Sequence, residues 1–142
     1  MRPREVCDAW FKRIWNAGDV EAVDELASPS ANFHGLPTSD ERSMAGPAAF
    51  KAYARAFRQA FPDINVQIVR YVCEGDMIAL HCAVKGTNTG PGVGATPTGR
   101  AVSFEGMVIA RIEGGKLQEG WNCFDSMTMY QQLGLLPSQL LP

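Results

Sequence analysis

Residues 101–134 read AVSFEGMVIARIEGGKLQEGWNCFDSMTMYQQLG. Two long apolar runs flank Glu113-Gly114-Gly115-Lys116, a turn composition that joins antiparallel strands. The second run passes through Trp121–Phe124 into Asp125 and then into a segment with helical spacing. Residues 64–90, INVQIVRYVCEGDMIALHCAVKGTNTG, repeat the pattern, with Glu74-Gly75-Asp76 at the turn. The Gly- and Pro-rich stretch at residues 90–99, GPGVGATPTG, lies between strands and is read as a rim or lid loop rather than a linker.

The first half reads differently. In REVCDAWFKRIWNAGD, Val6, Cys7, Trp10, Phe11, Ile14 and Trp15 form a helical stripe that Gly18 ends. Asp19 is placed to cap a second short helix, Val20 to Leu26. A short strand, Ala31 to His34, leads to turn residues, and Pro47 suits the first turn of a third helix. That helix carries Phe50, Tyr53, Ala54, Phe57 and Phe61 at three- and four-residue spacing. Helices first and a strand meander afterwards indicate an α+β fold, with a curved antiparallel sheet wrapped around the N-terminal helices as a cone. Such a cone leaves a pocket between helix and sheet.

The 142 residues fit one domain, 1–142, large enough to bury a core without metals or staples. Apolar residues make up 46% and charged residues 20%, a globular balance. The formal net charge of −2 and the scattered basic residues give no footprint for nucleic acid or an anionic membrane. Cys7, Cys73, Cys82 and Cys123 show no C-x-x-C spacing and are joined by only two histidines, which argues against zinc. With no apolar leader or membrane-length run, the expected setting is the cytoplasm.

Asp125 has two readings. As an N-cap it accepts a backbone hydrogen bond worth about 0.5–2 kcal/mol. By strand alternation, Trp121, Cys123 and Asp125 share one face. If that face lines an aromatic cavity, the carboxylate is desolvated and suited to proton transfer. Spacing alone favours the cap. His34 is either a hydrogen-bonded rim histidine or a neutral imidazole that orients Asp125, donates to a carbonyl or acts as base. His81, mid-strand, is a sheet-face histidine that contacts a ligand only if its face lines the pocket. Trp10, Trp15, Phe57, Phe61 and Trp121 are more often core than ligand wall, but their number suits flat walls for an apolar ligand. No G-x-S-x-G, P-loop or dinucleotide fingerprint is present.

The stretches WNAGDVEAVDELASP, GPAAFKAYARAFRQAFPDINV and PTGRAVSFEGMVIARIEGGKLQEGWNCFDSMTMYQQLG together resemble the SnoaL-like polyketide cyclases, also called ester cyclases, of the nuclear transport factor 2-like superfamily. The resemblance spans nearly the whole chain. It implies cofactor-independent, metal-free closure of an aromatic polyketide ester ring by intramolecular aldol condensation. It carries the acid–base aspartate onto Asp125 and places His34 in the cavity region. The expected substrate site includes Trp15, Phe33, Phe57, Phe61, His81, Trp121 and Cys123 and takes a small apolar or aromatic substrate, and the resemblance implies a homodimer or homotetramer. Asn88 stands where many such proteins show a histidine. Other readings are a non-catalytic small-molecule-binding domain, a cofactor-free oxygenase, or an epoxide hydrolase, for which Arg111 and Glu105 would have to complete an acid–arginine set. Family membership alone does not choose among these reactions.

Overall fold

The computed structural model describes residues 1–36, 43–92 and 96–139. Part of the expected rim loop, residues 93–95, and the end of the apolar tail, residues 140–142, lie outside the described residues. The chain opens with α1 (Pro3–Ala9), which continues as a π-helical segment, Trp10–Asn16. A 3₁₀ turn, Val20–Ala22, runs into α2 (Val23–Leu26). Strands β1 (Ala27–His34) and β2 (Ser43–Ala45) precede α3 (Pro47–Ala60). Strands β3 (Asn65–Glu74), β4 (Met77–Thr87), β5 (Ala101–Glu113) and β6 (Lys116–Phe124) follow, and α4 (Ser126–Gln132) closes the chain.

The strands form one sheet in the order β2-β1-β6-β5-β4-β3, curved around the helices, as expected for an α+β fold. Both hairpins lie where turn composition puts them, with Gly75, Gly114 and Gly115 at positive φ. One pairing departs from the expected antiparallel meander: β1 runs parallel to β6, with His34 opposite Trp121. The helix at the start of the chain also departs from a plain α-helix. The wider π turn brings residues one, four and five apart closer to a single face, so Trp10, Phe11, Ile14 and Trp15 are all buried. Asp19 occupies the cap position of the 3₁₀ turn but makes no capping bond. Its carboxylate instead pairs with Arg13 at 3.0 Å.

The helices dock onto the sheet through specific ties. Asn16 uses its side-chain amide like a strand residue, donating to the Val66 carbonyl at 2.9 Å and accepting from the Val66 N–H at 2.6 Å. This covers part of edge strand β3 and fixes the first helix against it. The Arg58 guanidinium of α3 donates to the carbonyl of Trp15. Behind α3, Asn88 is fully buried. Its Nδ2 donates to the carbonyls of Ala60 and Gly90, and its Oδ1 accepts from the N–H and hydroxyl of Thr98. All four side-chain valences are filled, so Asn88 ties the end of α3 to the loop before β5.

A bulge in β6 decides which side chains face the helices. Next to the turn, Ile112 pairs with Leu117, and both are buried inward. Register then shifts, and Arg111 pairs with Glu119 rather than with Gln118. One extra residue reverses the parity of the rest of the strand. Gly120, Asn122 and Phe124 turn inward, while Trp121 and Cys123 turn outward and Asp125 continues on the outer side. The outer face is read in rows: Val72, Ala79, Ile109, Trp121 and His34 lie side by side across five strands.

Candidate active site

The space enclosed by the first helix, α3 and the inner sheet face holds about 850 Å³, its open mouth included. Trp10, Phe11, Trp15, Phe33, Phe50 and Phe57 supply its aromatic wall. These rings support one another: Phe33 and Phe50 centroids lie 4.5 Å apart, and Trp15 meets Phe57 edge-on at 5.7 Å. On the sheet side Phe124 lies over Gly106, where a Cβ would sit 2.2 Å from the Phe124 ring. Only glycine at 106 lets that ring lie flat against the strand.

Polar groups on the wall are few. Among the described residues no Asp, Glu, His, Lys or Arg side chain lines the cavity. The polar side chains there are Tyr53, Asn122, Ser126 and the Cys7 thiol. Burial pushes the Cys7 thiol up to about 12, so it is a neutral apolar wall group rather than a nucleophile. Burial, with a smaller contribution from Tyr130, likewise raises Tyr53 well above the ordinary phenol range, which keeps its hydroxyl protonated and able to donate.

Asn122 is held in one orientation. Its Nδ2 donates to the His34 carbonyl at 3.0 Å. Only the NH₂ edge of the amide can face a carbonyl, so Oδ1 is directed away from β1. That bond depends on the end of β1 approaching β6 closely. Gly35 has φ of +79°, and a Cβ there would lie 2.0 Å from the Asn122 carbonyl oxygen.

The residues singled out from the sequence divide between two faces. Trp15, Phe33 and Phe57 line the cavity. Phe61 does not; it is buried behind Phe57, stacked at 5.1 Å. Trp121 and Cys123 stand exposed on the outer face of the sheet. His81 is also on that face, with Nε2 3.0 Å from Glu105 Oε1. His34 stacks on Trp121 with centroids 5.6 Å apart, and its Nε2 lies 2.6 Å from Glu119 Oε2. Arg111 Nη2 approaches the other Glu119 oxygen at 3.7 Å.

Asp125 is the cap of α4 and not a cavity group. Oδ1 accepts from the Thr128 N–H at 3.0 Å, and Oδ2 accepts from the Thr128 hydroxyl at 2.6 Å. These bonds hold its carboxyl below the usual aspartate value, the hydroxyl contributing most and the N–H next. A desolvated acid would shift the other way. The inward polar residue of this segment is Asn122, three positions earlier, which sequence reasoning passed over. Regular alternation from the Gly114-Gly115 turn leaves Asn122 on the outer face, and the bulge turns it inward.

Among the described residues, no group of three or more His, Cys, Asp or Glu side chains is placed to hold a metal. All four cysteines are free thiols. No helix is long and apolar enough to cross a membrane.

Comparison with known proteins fits this architecture. The profile of the SnoaL-like polyketide cyclase family matches residues 5–133. The chain belongs to that family. It is 30% identical over 126 residues to the aklanonic acid methyl ester cyclase DnrD of Streptomyces peucetius, covering 84% of this chain and 83% of that one. It is equally similar to the aklanonic acid methyl ester cyclase DauD of Streptomyces sp. strain C5, covering 87% of this chain and 78% of that one. Among solved structures, IdmH of Streptomyces antibioticus, described as a candidate polyketide cyclase, superposes with a TM-score of 0.81 at 28% identity, over 94% of this chain and 99% of that one. AclR of Streptomyces galilaeus, described as a candidate hydroxylase, gives a TM-score of 0.81 at 25% identity, over 95% of this chain and 97% of that one. The same scaffold thus carries names for more than one reaction.

Proposed function

We propose that this protein is a polyketide-cyclase-type enzyme that binds a flat, apolar, carbonyl-bearing ester in the cavity and promotes ring closure without a carboxylate base. The observation that carries this reading is the cavity wall: aromatic side chains broken only by neutral polar groups. Aromatic rings on facing walls suit a fused-ring substrate, and the two cyclase relatives are named for a methyl ester. A C–H flanked by two carbonyls enolises readily in water, so the protein need not supply a strong base. Its contribution is to fold the enol carbon onto the acceptor carbonyl and to exclude competing water. A protonated Tyr53 hydroxyl donates to the oxygen on which charge develops.

The wall composition also favours a second reading, a non-catalytic binding domain, since no acid–base pair faces the ligand. Incubation with aklanonic acid methyl ester, followed by chromatography and mass spectrometry, separates the two. Ring closure yields an isomer of unchanged mass and new retention time. Binding without that isomer would leave the binding domain standing, and absence of binding would sink both.

The same reading extends to assembly. Met107, Ile109, Trp121 and Val72 are exposed large apolar residues on the outer sheet face, and they support self-association through that face into a dimer or tetramer.

A further inference from the structure

Two of the cavity's polar groups, Asn122 and Tyr53, have opposite hydrogen-bonding character. Asn122 presents Oδ1, a pure acceptor, which receives no hydrogen bond from any described residue, because its Nδ2 is already committed to the His34 carbonyl. Tyr53 presents a hydroxyl that makes no hydrogen bond with any described residue, and its ring is fixed by edge-on contact with Trp15 at 6.1 Å and by Phe57 at 6.1 Å. The one is anchored on the sheet and the other on α3. The other polar groups on the wall are the Ser126 hydroxyl and the Cys7 thiol.

We propose that Asn122 and Tyr53 form a two-point polar recognition site, selecting a fused-ring ligand that carries a hydroxyl donor toward β6 and a carbonyl acceptor toward α3. The proposal rests on the cavity being the ligand site and deepens that reading by naming the ligand's functional groups. Its physical basis is the penalty for desolvating an unpaired polar atom. A flat ligand without a donor strips water from Asn122 Oδ1 and returns nothing, whereas one with a phenolic or enolic O–H fills it. The amide cannot adapt by flipping, since a flip would set Oδ1 against the His34 carbonyl oxygen. A carboxylate ligand group is disfavoured for the same reason: it would meet an acceptor in an apolar wall with no cation among the described lining residues.

Four probes test this by isothermal titration at about pH 6, where the phenol is protonated: anthracene, anthraquinone, 2-hydroxyanthraquinone and 2-methoxyanthraquinone. The native protein is expected to bind the hydroxy compound about tenfold more tightly than its methyl ether, the size of one well-made hydrogen bond. In Asn122→Leu that ratio falls to within about twofold. In Tyr53→Phe the hydroxy-to-methoxy ratio persists, while the preference for anthraquinone over anthracene is lost. Equal binding of hydroxy and methoxy compounds by the native protein, or a ratio that survives in Asn122→Leu, overturns the proposal and leaves the cavity reading intact. Failure of all four probes to bind overturns the cavity reading together with it. Should Asn122→Leu not fold, the native ratio and Tyr53→Phe decide the matter on their own.

Discussion

Replacing Asp125 with alanine separates a cap from a catalyst. The substitution removes both carboxylate bonds to Thr128 and leaves the first turn of α4 with an unpaired N–H. Lost caps of this kind cost about 1 kcal/mol, within a range of roughly 0.5–2. For a chain of this size that lowers Tm by about 3 °C. Asp125→Asn keeps an oxygen for the Thr128 N–H and is expected to lose less. The carboxyl's lowered pKa sets the pH dependence. A depressed aspartate stabilises the fold above its unfolded pKa, and the stabilisation disappears as pH falls through the folded value. The difference in Tm between native protein and Asp125→Ala is therefore constant at neutral pH and closes in acid, below the usual aspartate range. Thermal unfolding by circular dichroism at several pH values reads this, and titration of a cavity ligand reads the site. Binding and any turnover should stay within about twofold of native in both variants. A drop of tenfold or more in binding or turnover, with Tm unchanged, would refute the placement of Asp125 outside the chemistry.

Three further outcomes follow from particular contacts. Asn88→Ala strands the Thr98 N–H and the Gly90 carbonyl and leaves the Ala60 carbonyl with the Gly90 N–H alone, and should destabilise by about 2–4 kcal/mol in urea unfolding. Gly106→Ala forces the Phe124 ring off β5 and into the cavity, so it should weaken binding of a flat ligand as well as cost about 1–3 kcal/mol. Asp63, whose carboxylate accepts from the Thr87 hydroxyl and N–H, is lowered like Asp125, so Asp63→Ala should lose its stability penalty in acid in the same sense, seen by the same pH series of melts.

Much of the fold was legible because local signals agreed with tertiary packing. Pro47 starts α3, and the Gly75 and Gly114-Gly115 turns join the hairpins where their composition says. The candidate site was legible only in part. Alternation correctly groups Trp121, Cys123 and Asp125 on one face, but alternation cannot tell inner from outer when Trp121 and Phe124 are both large and apolar. A regular hairpin counted from Leu117 puts that group inside; the bulge puts it outside. The bulge has no distinctive residue, so single-sequence reading lacks a signal for it. The family resemblance led to Asp125 for the same reason, because it identifies a segment and not which of its side chains turns inward. The π segment was hidden too, since Trp10, Phe11, Ile14 and Trp15 satisfy a helical stripe at either pitch. His34 owes its place in the site to its carbonyl, which orients Asn122, rather than to its ring.

Ligand is expected to enter the interior cavity and not to settle on the outer sheet face. The three tryptophans report on both: Trp10 and Trp15 line the cavity, while Trp121 is exposed on the outside. With 5-fluorotryptophan incorporated and each resonance assigned by a Trp→Phe substitution, fluorine NMR during titration with anthraquinone measures the location directly. The Trp10 and Trp15 resonances should move together with saturation while Trp121 holds its shift. Movement of Trp121 alone would place the ligand on the outer face and contradict this expectation.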